Sequence, residues 1–251
     1  MIKMIPKVIH YCWFGRNPLP EFAKKCIDSW RKFFPEYEIR EWNEDNFDVS
    51  MIPYTKEAYD AGKYAFVSDY ARFWILYRYG GLYFDTDVEV IKPMEDIINK
   101  GPFMGCEISE SKNEGLAVAP GLGIGSVPGL KLYADLLDLY SKLHFQKANG
   151  EHHLKTVVEY TTELLQRQGL KNLNEIQYCA GVWIYPSEYF SPWDVILGKM
   201  NITENTRSIH WYSKTWLPKE SFILLWSKRI LRRIFGKNIK CRVKRFLKIH
   251  R

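Results

Sequence analysis

AFVSDYARFWILYRYGGLYFDTDVEVIKP, residues 65–93, decides the reading of this chain. From Ser68 to Tyr79 apolar residues recur at helical period, with Ser68 placed as an N-cap and Gly80-Gly81 as a stop. Residues 82–91 then alternate. Leu82, Phe84, Thr86, Val88 and Val90 face one side of a strand, and Tyr83, Asp85, Asp87 and Glu89 face the other. Two carboxylates two residues apart on one strand face can hold a hard divalent cation, or bridge a cation and a ribose. Alone, a D-x-D is a weak signal that solvated acids on a strand edge also produce. The preceding helix adds to it. Back from Gly80, Arg72 lies ~12 Å and Asp69 ~17 Å up the helix at 1.5 Å per residue. Forward from Gly81, Asp85 lies ~13 Å and Asp87 ~20 Å along the strand at 3.3 Å per residue. A helix folded back on the strand brings all four to one level, as a phosphate-and-metal constellation or as a structural ion-pair network.

Upstream, KVIHYCWF (7–14) reads as a strand buried on both faces. Phe22, Cys26, Ile27, Trp30 and Phe33 follow at helical period, with Pro20 near the helix start and Pro35 after its end. YEIREW (37–42) is a second strand, so this segment is a βαβ unit with a parallel pair. A helical stretch near 55–61 breaks at Gly62. Downstream come a Gly/Pro-rich loop region at 115–129 around a short strand, and helices near 129–144 and 152–168, the second stopped at Gly169. His152-His153 opens that second helix, solvated. Short strands are expected near 175–178, 182–185 and 207–211. The result is one α/β domain, residues 1–217, followed by an appendage, 218–251.

Ligands of open α/β sheets sit beyond the carboxyl ends of strands. For the first strand that means Tyr11, Cys12, Trp13 and Phe14, where an aromatic can stack on a nucleobase or simply belong to the core. No G-x-G-x-x-G follows this strand and no P-loop motif is present, which argues against dinucleotide and P-loop sites. In RSIHWYSKTW (207–216), His210 ends a short apolar strand and can be a structural histidine or a third ligand to a carboxylate-held metal.

The 251 residues are 46% hydrophobic and 26% charged, an ordinary globular composition that excludes disorder and low complexity. The longest apolar run near the C-terminus, Phe222–Trp226, is far too short to span a bilayer, so no transmembrane segment is expected. The first fifteen residues suggest no signal peptide. The cysteines at 12, 26, 106, 179 and 241 show no C-x-x-C spacing, which suggests neither zinc nor a disulfide framework and fits a reducing cytosolic compartment. Net charge is +7, yet Ser221–Arg251 holds eleven Lys/Arg and no Asp or Glu, so the body is slightly acidic. Within that tail Ile223, Trp226, Ile230, Leu231, Ile234 and Phe235 recur at helical spacing. A basic amphipathic helix of this kind suits an anionic membrane surface, and docking on the body or nucleic-acid binding are the alternatives.

The run 65–93 strongly resembles the signature of the sugar-binding DXD glycosyltransferases, glycosyltransferase family 32, which includes capsular-polysaccharide transferases and fungal mannosyltransferases. IPKVIHYCWFG (5–15) resembles the family's opening strand, SIHWYSKTW (208–216) its closing His…Ser-Trp motif, and IYPSEYFSP (184–192) the segment before it. The closing Ser-Trp is Thr215-Trp216 here, which retains the hydroxyl. The resemblance implies a GT-A type, Rossmann-like mixed sheet flanked by helices. It also implies a nucleotide-sugar donor, Mn²⁺ or Mg²⁺, and retention of anomeric configuration. Asp85 would contact ribose and metal, Asp87 would ligate the metal, and His210 would complete its shell. Asp69 and Arg72 would hold the donor sugar and diphosphate. Ile9, His10, Tyr11, Trp13 and Tyr83 would hold the nucleotide, with Lys214 and Trp216 at the diphosphate. The expected donor is a UDP-hexose such as UDP-galactose or UDP-glucose. The expected acceptor is a glycan of polysaccharide biosynthesis, lipid-linked if the tail holds the protein at the inner face of a membrane. Nucleic acid is not an expected partner.

Three rivals are weaker. A haloacid-dehalogenase-type phosphatase also carries a D-x-D strand, but usually at its start and with a later acidic pair that this chain lacks. A non-catalytic membrane-associated nucleotide- or polysaccharide-binding module would not need an intact D-x-D with Asp69 and Arg72. A basic-tail RNA-binding protein is the third.

Overall fold

The computed structural model describes residues 4–108, 116–146, 151–194 and 199–213. In chain order the elements are β1 (Val8–Cys12), α1 (Glu21–Phe33), β2 (Glu38–Trp42), α2 (Pro53–Asp60), α3 (Tyr64–Tyr79), β3 (Gly81–Tyr83), β4 (Val88–Val90) and α4 (Glu95–Ile98). They continue with β5 (Phe103–Ile108), β6 (Leu116–Val118), β7 (Ile124–Ser126), α5 (Lys131–Ser141), α6 (Val157–Arg167), β8 (Gln177–Cys179), β9 (Val182–Tyr185), α7 (Ser187–Phe190), β10 (Trp193–Asp194), β11 (Lys199–Met200) and β12 (Ser208–His210). The expected tail, 218–251, lies outside the described residues, as do Lys214 and Trp216.

The main sheet is mixed, with strand order β2-β1-β3-β7-β5-β9-β8 and β6 paired to β5. β1 runs parallel to both β2 and β3, the arrangement expected of a βαβ unit. β3 pairs antiparallel with β7, so strand direction reverses beside the end of β3. Helices cover both faces. On one side α2, α3, α5 and α6 bury Phe66, Phe73, Leu76, Tyr133, Tyr140 and Leu165. On the other α1, α4 and α7 bury Ile27, Trp30, Ile97 and Phe190. Ala23, Cys26, Ile27 and Trp30 form the stripe by which α1 docks, and the Trp30 indole donates to Val88 O at 2.8 Å.

Three expectations change. α3 begins at Tyr64 rather than Ser68, because Val67 and Phe66 extend its buried face; the Ser68 hydroxyl donates back to Tyr64 O instead of capping. α6 begins at Val157 behind a Thr156–Glu159 capping box rather than at the His pair, and His152 instead stacks on Phe145. The continuous strand 82–91 is broken: β3 ends at Tyr83, Val88 N donates to Asp85 O across a turn, and β4 leaves the sheet to pair with β12.

The α3–β3 turn depends on glycine. Gly81 has φ +98, and a Cβ there would sit 2.6 Å from both Val8 O and Val8 Cγ1. Gly62 has φ +67 but nothing within 4 Å of a Cβ. Both substitutions to Ala carry the left-handed penalty of about 1–2 kcal/mol. Gly81→Ala adds overpacking, about 1–3 kcal/mol more. Urea unfolding should therefore show Gly81→Ala clearly less stable than Gly62→Ala; equal losses would mean that the turn opens freely.

Candidate active site

Three of the four charged residues expected at one level do meet. Arg72 is buried, and its Nη2 donates to Asp69 Oδ1 at 3.0 Å and lies 3.3 Å from Asp85 Oδ1. Its Nε donates to Ser68 O at 3.1 Å, and its guanidinium sits 5.0 Å from the centre of the Tyr83 ring. The Tyr83 hydroxyl donates to Asp85 Oδ1 at 3.1 Å. Burial lifts the Asp69 carboxyl to about 7 against the pull of Arg72, with Asp85 adding to the rise. For Arg72, burial alone would favour loss of the proton, but Asp85, Tyr83 and Asp69 outweigh it and hold the guanidinium charged.

Asp87 departs from this group because the strand breaks before it. Its Oδ1 lies 3.0 Å from His210 Nε2, and its Oδ2 accepts from Ser213 N at 2.8 Å and Ser213 Oγ at 2.9 Å. The β4–β12 pairing sets this up: His210 lies opposite Val88, and Trp211 N donates to Asp87 O. Burial would raise the Asp87 carboxyl, but His210 and the Ser213 bonds outweigh it and hold it far below the usual carboxylate range. His210 shifts the opposite way: burial would lower it, and Asp87 raises it.

Among the described residues no three His, Cys, Asp or Glu side chains are gathered into a ready cation site, because Asp85 faces Arg72 while Asp87 faces His210. The donor chemistry nevertheless fits Mn²⁺ or Mg²⁺. It offers an ionised buried carboxylate, a second carboxylate two residues away, and an imidazole whose buried Nδ1 has no partner.

The expected nucleotide residues divide. Ile9 and His10 are wholly buried inside the sheet. His10 Nδ1 accepts from the Trp42 indole at 3.0 Å, and its Nε2 lies 3.0 Å from Gly80 O, so the ring ties β1 to the end of α3. Tyr11 is a core aromatic, edge-on to Trp30, with its hydroxyl donated to Glu41. Trp13 alone of these lines a cavity of about 330 Å³, together with Pro20, Phe22, Ala23, Thr86, Asp87, Trp211 and Ser213. Of this lining the sequence reading had singled out only Trp13 and Asp87. Gly121 was also missed: its carbonyl accepts from Asp85 N at 3.1 Å, and a Cβ there would overlap Asp85 Oδ2. Its only signal was the Gly-rich loop composition.

Burial lowers the His10 imidazole to about 4, partly opposed by Gly80. The folded pKa is below the unfolded one, so the neutral ring's contribution is complete above pH ~6.5 and is lost as pH falls through about 4. The full loss amounts to about 3 kcal/mol. NMR titration of the imidazole should give a midpoint near 4, and a midpoint near the ordinary value would show that the ring is wet.

Residues 20–104 match the family described as the glycosyltransferase sugar-binding region containing DXD motif. The chain is similar to inositol phosphoceramide mannosyltransferase 1 of Schizosaccharomyces pombe, with 30% identity covering 41% of this chain and 34% of the relative. It is similar to inositol phosphoceramide mannosyltransferase 3 of the same organism at 33% identity, over 38% of this chain and 28% of the relative. The chain thus spans about a third of the length of these curated relatives. Among solved structures, the PaToxG glycosyltransferase aligns with TM-score 0.47 and 20% identity, over 66% of this chain and 70% of that one. The sheet is mixed and flanked by helices, and the D-x-D lies just after β3. Residues 20–104 thus resemble the DXD-containing sugar-binding region of glycosyltransferases, a likeness that supports a family-32-like assignment.

Proposed function

We propose that this chain is a metal-dependent, retaining glycosyltransferase that moves a hexose from a nucleotide-sugar to a glycan acceptor. The observation that carries the reading is that the two carboxylates of one D-x-D, just after β3, each anchor a polar cluster, Asp85 with Arg72 and Asp69, and Asp87 with His210 and Ser213. A UDP-hexose such as UDP-galactose or UDP-glucose is the proposed donor. The mannosyltransferase names of the relatives favour a mannosyl donor as the second reading.

Asp85, Asp87 and His210 would hold the cation. When bound, Mn²⁺ or Mg²⁺ supplies a Lewis acid for the charge that builds on the leaving diphosphate. Arg72 keeps a positive charge beside Asp85 in a site with little water, where it acts without reorganisation. Gly121 leaves open the space next to Asp85 Oδ2 and Arg72 Nη1 that a side chain would take from the donor. Asp69 fixes Arg72 and offers a carboxyl to an oxocarbenium-like transition state. Among the described residues none stands out as a carboxylate nucleophile, so we infer same-face substitution. The bond from the anomeric carbon to the phosphate oxygen breaks, the acceptor oxygen bonds on that face, and its proton passes to the departing phosphate. A glycosyl-enzyme adduct trapped on a carboxylate would overturn this mechanism.

Purified protein with Mn²⁺ and a panel of UDP- and GDP-sugars should release nucleotide from one donor. Asp85→Ala/Asp87→Ala should lower release by about 100-fold or more, and EDTA should abolish it. Absence of release together with absence of donor binding in calorimetry would remove the assignment.

The tail, which lies outside the described residues, is proposed to bind an anionic membrane surface at the cytoplasmic face and so bring the site to a lipid-linked acceptor. Vesicles containing phosphatidylserine should retain the full chain but not a 221–251 deletion, and salt should weaken the binding. Equal retention of both proteins would sink it.

A further inference from the structure

The alternating strand carries a third acid, Glu89, that neither carboxylate cluster uses. Its Oε2 accepts from the Trp211 indole at 2.9 Å, and Trp211 N donates to Asp87 O at 3.0 Å. Trp211 is thereby pinned at two points to the acidic segment while 37% of its surface stays in water. Across from it stands Phe22, on the first turn of α1. Phe22 was expected in the buried stripe of that helix, but it is off the stripe and 41% exposed. The two rings meet edge to face with centroids 6.1 Å apart. Both line the 330 Å³ cavity that also holds Asp87 and Trp13.

Large apolar rings held in water at the rim of a cavity, with an ionised carboxylate inside it, suit a ligand with one flat end and one anionic, cation-bound end. A nucleoside diphosphate has that form. Resting on the transferase reading above, we propose that Phe22 and Trp211 are the aromatic walls that hold the donor's nucleobase. Glu89 is the positioning residue that sets Trp211. The third acid of the strand thus serves base recognition rather than the cation.

The test measures Mn²⁺-dependent binding of UDP, GDP and inorganic pyrophosphate by calorimetry. Phe22→Ala and Trp211→Ala should weaken the preferred nucleoside diphosphate about tenfold and leave pyrophosphate, which has no base, unchanged. Glu89→Ala should weaken the nucleotide in the same selective way. Glu89→Gln, which retains an acceptor oxygen, should restore it. Phe22 and Trp211 are partly exposed, and Trp211→Phe, which keeps a ring, should bind better than Trp211→Ala; equal binding by the two would overturn the wall. Nucleotide affinity unchanged in both alanine variants, or nucleotide and pyrophosphate weakened alike, would overturn the proposal alone. A wild-type protein that binds neither UDP nor GDP with Mn²⁺ would overturn it together with the transferase reading.

Discussion

Arg72 is a charged guanidinium with almost no water around it, and the site is arranged to keep it so. Removing a cation from water costs several kcal/mol even after relaxation. Here the cost is offset by Asp69, Asp85, the Ser68 carbonyl and the face of Tyr83. These partners come from α3, the end of β3 and the segment just after it. α3 must therefore run back along β3, which the Gly80-Gly81 turn permits and the His10 bridge to Gly80 O holds. Breaking one partner from a buried charge costs more than forming the pair gains, about 3–5 kcal/mol. That asymmetry holds the Asp69 carboxylate against Arg72 more firmly than a surface ion pair would be held.

Asp87 is fixed by different means. Its strand has turned out of the main sheet, and the partner that receives it, β12, lies more than a hundred residues later in the chain. The β4–β12 ladder places His210, Trp211 and Ser213 around one carboxylate through side chain and backbone together. The two acids of the motif thus have different neighbours: one a guanidinium, the other an imidazole and two serine donors. That division is why the carboxylates do not meet on one strand face, as strict alternation would have them.

Much of this was legible beforehand. The parallel β1–β2 pair, the Gly-Gly stop, and the meeting of Asp69, Arg72 and Asp85 follow from period, punctuation and rise per residue, all local quantities. What was not legible is non-local. Alternation over 82–91 cannot reveal that Val88–Val90 pairs with a distant strand instead of continuing the sheet. Aromatic character at Tyr11 and His10 cannot separate core from cleft, because burial there depends on Trp30, Trp42 and Gly80. Phe22 was hidden for the converse reason: an apolar ring at helical period reads as core unless the packing of the neighbouring elements is known. The resemblance to a family placed His210 beside the acids, which a lone histidine at the end of a short strand could not have done.

The halves of the site also differ in when they can form. Arg72 and Asp85 are thirteen positions apart in sequence and joined by one tight turn, so their contact closes a short loop. The contact of Asp87 with His210 closes a loop about nine times longer, and the 330 Å³ cavity is bounded by that same late segment through Trp211 and Ser213. Docking of 208–213 then does two things at once: it gives the Asp87 carboxylate its imidazole and Ser213 partners and supplies a wall of the cavity. One short segment, 208–213, thus supplies both the imidazole beside Asp87 and a ring at the rim of the cavity, so whatever steadies that segment steadies both.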